Sequence, residues 1–121
     1  MGTVPRPGDG WAVDDGDWGW DEKRDIDAIV EKLGWRGVAA AHAWHEGGSR
    51  PPERKDSYKL PHHKLEGDEL VLSRRGVQRA MAAINGARGG TDLPAKDVPR
   101  VYRHLKSHYE QMGEDAPDLK G

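Results

Sequence analysis

The chain has no cysteine and no phenylalanine among its 121 residues. The first absence excludes disulfides and thiolate metal sites, and fits a reducing compartment or an assembly held without cross-links. The second leaves five tryptophans to carry most of the large aromatic area. Trp combines a broad apolar face with an N–H that needs a partner, which suits half-buried positions and interfaces. Apolar residues are only 35% of the chain and charged ones 33%, so the core must be small. No apolar stretch is long enough to span a bilayer. Residues 1–10 place Pro, Gly and Asp where a signal peptide needs an apolar run. These features describe one soluble, non-secreted domain without a membrane partner. No internal repeat is present.

Catalytic signatures are missing as well. No Ser stands in a recognised order with a His and an acid, and there is no nucleophile elbow. Paired carboxylates occur only in charged loops. The stretch Asn85-Gly86-Ala87-Arg88-Gly89-Gly90 resembles a phosphate loop only in glycine content. It lacks the following Lys-Ser/Thr, and its glycines better serve a sharp exit from a helix. The expectation is a protein that is not an enzyme and carries no cofactor.

What is present divides the chain into three. Residues 1–24 read as an extended, acidic, Trp-rich arm with no helical or strand period. Residues 25–113 read as a small helical domain with a β-ribbon, and residues 114–121 as a polar tail. Within the domain, Asp25 is placed to cap a helix whose apolar face is Ile26, Ile29, Val30 and Leu33, with Gly34 ending it. Residues 37–46 are ambiguous. Alanine content favours helix, whereas Val38, Ala40, His42 and Trp44 alternate like a strand; helix is preferred. Short strands at 57–60 and 69–72, separated by the turn Glu66-Gly67-Asp68, predict a two-stranded ribbon. Ser73 caps a helix with the stripe Val77, Ala80, Met81 and Ile84. Asp97 and Pro99 begin a last helix, with Val98, Val101, Tyr102, Leu105, Tyr109 and Met112 on one face. The two stripes match, so Val77, Met81 and Ile84 should meet Val101, Leu105 and Tyr109. The predicted fold class is mostly α with a small two-stranded β-ribbon, built from three to four short helices and an extended N-terminal arm.

The net charge of -2 hides an asymmetry. Residues 9–31 carry nine acidic residues against Lys23 and Arg24, whereas residues 50–106 are strongly basic. The arm therefore complements a basic face, of this chain or of a neighbour. Trp11, Trp18 and Trp20 in the arm, with Trp44, are the expected partner-binding residues. Arg74, Arg75, Arg79, Arg100 and Arg103 on the two C-terminal helices offer an alternative, nucleic-acid binding through phosphate contacts. The long, glycine-rich connection between those helices argues against a helix–turn–helix reader.

Four of the six histidines fall at His62, His63, His104 and His108. His104 and His108 are four apart on a helix and can share one metal ion, which Pro61-His62-His63 could complete. No Glu makes the metalloprotease helix motif. The preferred reading is that His104 and His108 are boundary residues bonded to backbone or carboxylates, and that none of the four holds a metal. In a helix His42 and His45 would also permit a shared ion, but a Trp44 anchor with polar flanks is the plainer account.

One resemblance covers rather more than half the chain. Its pieces are Ala43-Trp44, Tyr58-Lys59-Leu60-Pro61-His62-His63, Gly76-Val77, Gly86-Ala87-Arg88-Gly89-Gly90, Leu93-Pro94 and His104-Leu105-Lys106-Ser107-His108-Tyr109. In order and spacing they resemble a small domain of tailed-bacteriophage head-gene clusters. That domain occurs alone or attached to prohead-protease-like or other capsid-assembly proteins. The protease's catalytic region has no counterpart here. The resemblance implies a structural or accessory protein of the phage head, with a decoration, cementing or assembly role. It would bind the major capsid protein or its own copies, in the virion and, during assembly, in the host cytoplasm.

Overall fold

A computed structural model describes residues 2–86 and 92–120. Its strands are β1 (Gly2–Thr3), β2 (Val13–Asp14), β3 (His42–Glu46), β4 (Tyr58–Pro61), β5 (His63–Glu66) and β6 (Glu69–Ser73). The helices are α1 (Glu22–Ala41), α2 (Arg74–Ile84) and α3 (Val98–Gln111), with short 3-10 turns at Lys55–Ser57 and Ala95–Asp97. The strands form two three-stranded sheets, ordered β1-β3-β4 and β2-β6-β5. This α+β arrangement overturns the expectation of a mostly helical fold with one two-stranded ribbon.

The difference has identifiable causes. Residues 42–46, read as helix, are the central strand of the first sheet, with Trp44 opposite Lys59 and His45 opposite Tyr58. The alanines at 39–41 and 43 gave helix propensity, and 39–41 are the end of a helix, but burial of 42–45 set the strand conformation there. The strand after Ser57 does not pair with residues 69–72. It pairs with β3, and β6 pairs instead with β5 through the Gly67-Asp68 turn. The break between β4 and β5 is the single residue His62, whose backbone still bonds to Ala41 and Ser73. The arm supplies the third strand of each sheet. Gly2 and Thr3 pair antiparallel with Glu46 and His45, while Val13 and Asp14 run parallel to Leu72 and Ser73.

α1 starts at Glu22 rather than Ile26. Asp21 is its N-cap and accepts from the Arg24 amide at 2.9 Å, while Asp25 accepts from the Asp21 amide at 2.6 Å. Gly34 is non-helical, at φ 72°, so the chain breaks there as expected but resumes helix through Ala41. Ser73 caps α2 by accepting from the Gly76 amide at 3.0 Å. Pro99 occupies the first turn of α3. Asp97, expected as its side-chain cap, makes no capping bond. Its carboxylate is buried and accepts from the Trp44 indole N–H at 3.0 Å. From residue 87 to 91 the glycine-rich segment lies outside the described residues.

Two apolar clusters hold the elements. The larger joins Val77, Ala80 and Met81 of α2 to Val101, Leu105 and Tyr109 of α3, with Trp44, Leu60 and Leu72 from the sheets. Ile84 packs partly buried at its edge. The smaller joins Ile26, Ile29 and Val38 of α1 to Tyr58. Leu33, expected on the same buried face, is 37% exposed.

Candidate functional site

The β4–β5 break and one face of α3 bring four histidines together in the interior. His62 and His63 follow Pro61, and His104 and His108 lie one turn apart on α3. All four are buried, and His62, His63 and His108 have no exposed surface. The boundary position expected for His104 and His108 is therefore corrected: the α3 stripe turns far enough inward to bury both beside Leu105.

The hydrogen bonds fix two of the rings. His62 Nδ1 lies 2.9 Å from the Leu60 carbonyl, and His104 Nδ1 lies 2.7 Å from the Pro5 carbonyl. A carbonyl only accepts, so both Nδ1 atoms carry the proton and donate. Each ring is neutral, because burial drives His62 well below the ordinary histidine value and His104 down to about 4. Both Nε2 atoms are then bare lone pairs, yet they face each other at 3.1 Å. His108 Nε2 lies 3.2 Å from the same His104 Nε2. Burial also lowers His108 to about 3 and His63 well below its usual range. His63 has neither ring nitrogen bonded, and His108 Nδ1 is likewise without a partner. His62, His63 and His108 offer nitrogens within 4.8 Å of one another.

The arm closes over this cluster. Trp11 lies against the His63 ring, centroids 4.3 Å apart, with its N–H held by the Pro7 carbonyl at 2.8 Å. Trp44 is buried in this chain's own core and Trp11 packs half-buried against it, so both make contacts within the chain. Acidic residues of the arm meet basic ones of the same chain, with Asp14 on Lys64 at 2.8 Å and Asp15 on Arg74 at 2.5 Å. His42 and His45, weighed as a helical ligand pair, lie on β3 instead. Each bonds separately to a backbone carbonyl, of Val38 and Glu46 respectively.

A second feature lies on the surface. Trp18 and Trp20 stack nearly parallel, at 10° with centroids 5.3 Å apart. They remain half-buried. They form one wall of a slot of about 310 Å³ whose other walls are Leu60, Pro61, Arg79 and Ala83. The arginines considered for nucleic acid do not converge. Arg74 is paired with Asp15 and Glu114, Arg79 lines the Trp slot, and Arg75 is exposed on α2. Arg100 and Arg103 line a separate depression with Arg6. No family model, curated protein or solved structure matches the chain.

The carbonyls of Pro5 and Leu60, which set the tautomers, had no signal in the sequence. Neither did the approach of Trp11 to His63.

Proposed function

We propose that this chain is a non-enzymatic structural protein of a phage-type head, docking on the major capsid protein through the Trp18–Trp20 slot. The observation that carries the docking surface is the stacked pair itself. Of the half-buried tryptophans in the arm, Trp11 lies against the His63 ring, whereas Trp18 and Trp20 stack on each other and line a slot beside an exposed guanidinium. Large aromatics in a pocket with a neighbouring Arg are the usual anchors of protein interfaces. Such a slot fits an apolar side chain flanked by a carboxylate on the partner. The assignment to a head rests on the motif resemblance from Tyr58 to Tyr109.

Mass spectrometry of density-purified particles tests the reading. The chain should be found in stoichiometric amount with the shell protein. Trp18→Ala/Trp20→Ala should lower its occupancy by about tenfold or more, as loss of central aromatic anchors does. A chain recovered only free of particles, or a double variant at full occupancy, would sink it.

A further inference from the structure

We propose that His62, His63, His104 and His108 form a closed, structural site for one zinc ion. The proposal concerns the interior of the fold and stands independently of the docking surface.

The argument begins with an unsolved hydrogen-bond problem. Buried polar atoms are almost always paired. Here two bare Nε2 atoms point at each other at 3.1 Å, where no proton bonded to either ring can sit while both Nδ1 atoms serve carbonyls. His108 can relieve one contact by donating from Nε2 to His104, but its Nδ1 is then an orphan acceptor. His63 adds two more unpaired nitrogens. A shared proton would make an imidazolium in a site whose burial opposes that charge. An electron-pair acceptor placed between the rings satisfies several nitrogens at once.

The spacing fits such an acceptor. Zinc binds imidazole at about 2.0–2.1 Å in a tetrahedron, which sets neighbouring nitrogens about 3.3 Å apart. The observed 3.1 and 3.2 Å are close to that value. His62, His63 and His108 can each offer a nitrogen within 4.8 Å of the other two, and His104 Nε2 stands close to both His62 and His108. Closing this spacing to tetrahedral geometry would bring His63 in as the fourth ligand.

The surroundings have the form of a ligand-orienting shell. Metal-bound histidines usually donate their other N–H to a carbonyl or carboxylate, which fixes the ring and raises ligand basicity. Leu60 and Pro5 play this part for His62 and His104. Leu60 does so from a left-handed backbone, φ 63°, the one such non-glycine residue among those described. A bulky residue holds that conformation only where its surroundings impose it. The chemistry of the donors also selects the ion. Neutral imidazoles without carboxylate or thiolate suit zinc or its neighbours, not magnesium or calcium. With four protein ligands and the Trp11 ring over His63, no coordination position is left for substrate, so the site is structural.

The test uses the full chain without a tag, purified free of chelators and then loaded with zinc sulfate. Elemental analysis should give one zinc per chain. Chelator treatment should lower the melting midpoint by about 10 °C or more, and zinc should restore it. Cobalt(II) in place of zinc should give the intense visible bands of a tetrahedral centre. His104→Gln and His108→Gln should each weaken zinc by about tenfold or more, whereas His45→Gln should leave it unchanged. If both ligand variants fail to fold, the cobalt spectrum and the chelator shift of the unaltered chain still decide. Less than a tenth of an equivalent of zinc with a melting point indifferent to chelator would overturn the site. So would full stoichiometry in the His104→Gln/His108→Gln double variant. Uptake of copper or nickel with no uptake of zinc would overturn the assignment of the ion.

Discussion

Leu105 shows at the scale of one residue how far the core depends on the α2–α3 seam. It is fully buried among Val77, Met81 and Val101. Leu105→Ala should cost about 2–5 kcal/mol, read from chemical denaturation, because the cavity can collapse only in part. Asp97 offers a polar counterpart. Its buried carboxylate takes the Trp44 N–H at 3.0 Å, so Asp97→Ala would leave that donor unpaired and cost about 1–3 kcal/mol. Asp97→Asn keeps an acceptor and should cost less; equal losses would show that the charge, not the bond, matters. His42 links stability to pH. Burial lowers it from 6.5 to about 4. The unfolded chain therefore binds a proton that the folded chain refuses between those values. Stability is full above pH 6.5, falls as the pH drops toward 4, and levels off below that. His42 alone contributes ~3 kcal/mol to this fall. Denaturation of His42→Asn at pH 7 and 4.5 should show a shallower loss than the parent; an equal loss would exclude His42 as a source.

Among the elements, those with a strong period and a cap were legible in the sequence. α2 and α3 begin and end close to where Ser73, Pro99 and Gly113 place them, and their stripes meet. The strands were less legible for a physical reason. Residues 42–46 are buried at four of five positions, so the alternation through His42 and Trp44 marks no single buried face, and the alanines before them favoured helix. The arm strands are two residues each, too short for any period. The histidine cluster was half legible. The spacing of His104 and His108 pointed to a shared side, but only the fold shows that this side faces inward onto His62 and His63. At Gly34 the expected helix end proved to be an internal break at φ 72°. Gly34→Ala should therefore destabilise the chain by about 1 kcal/mol or more, despite alanine's higher helix propensity. A stabilised variant would mean that α1 prefers to run straight through.

For the whole molecule, the decisive question is whether the arm is an appendage or part of the body. Its composition suggested an appendage that docks elsewhere. Its contacts place residues 2–14 in the body. β1 extends the first sheet and β2 the second. Pro5 holds His104, Gly8 accepts from the Gln111 side chain at 2.7 Å, and Trp11 packs on His63. Gly2 lies so close to the Trp44 indole that a Cβ there would stand 2.2 Å from it. The C-terminal tail makes fewer and more exposed bonds, such as Tyr102 to the Pro117 carbonyl at 2.8 Å. Burial and backbone pairing, rather than position in the chain, decide what a truncation costs. Deleting residues 1–14 should open the sheets at β3 and β6, uncover the histidines and lower the melting midpoint by more than about 5 °C. Deleting residues 117–121 should lower it by clearly less. Thermal melts of the two truncations beside the full chain separate the cases. An N-terminal truncation that melts with the parent would make the arm peripheral and leave the histidine cluster to be closed by something else. A C-terminal truncation that costs as much would move the stabilising contacts to the α3 exit.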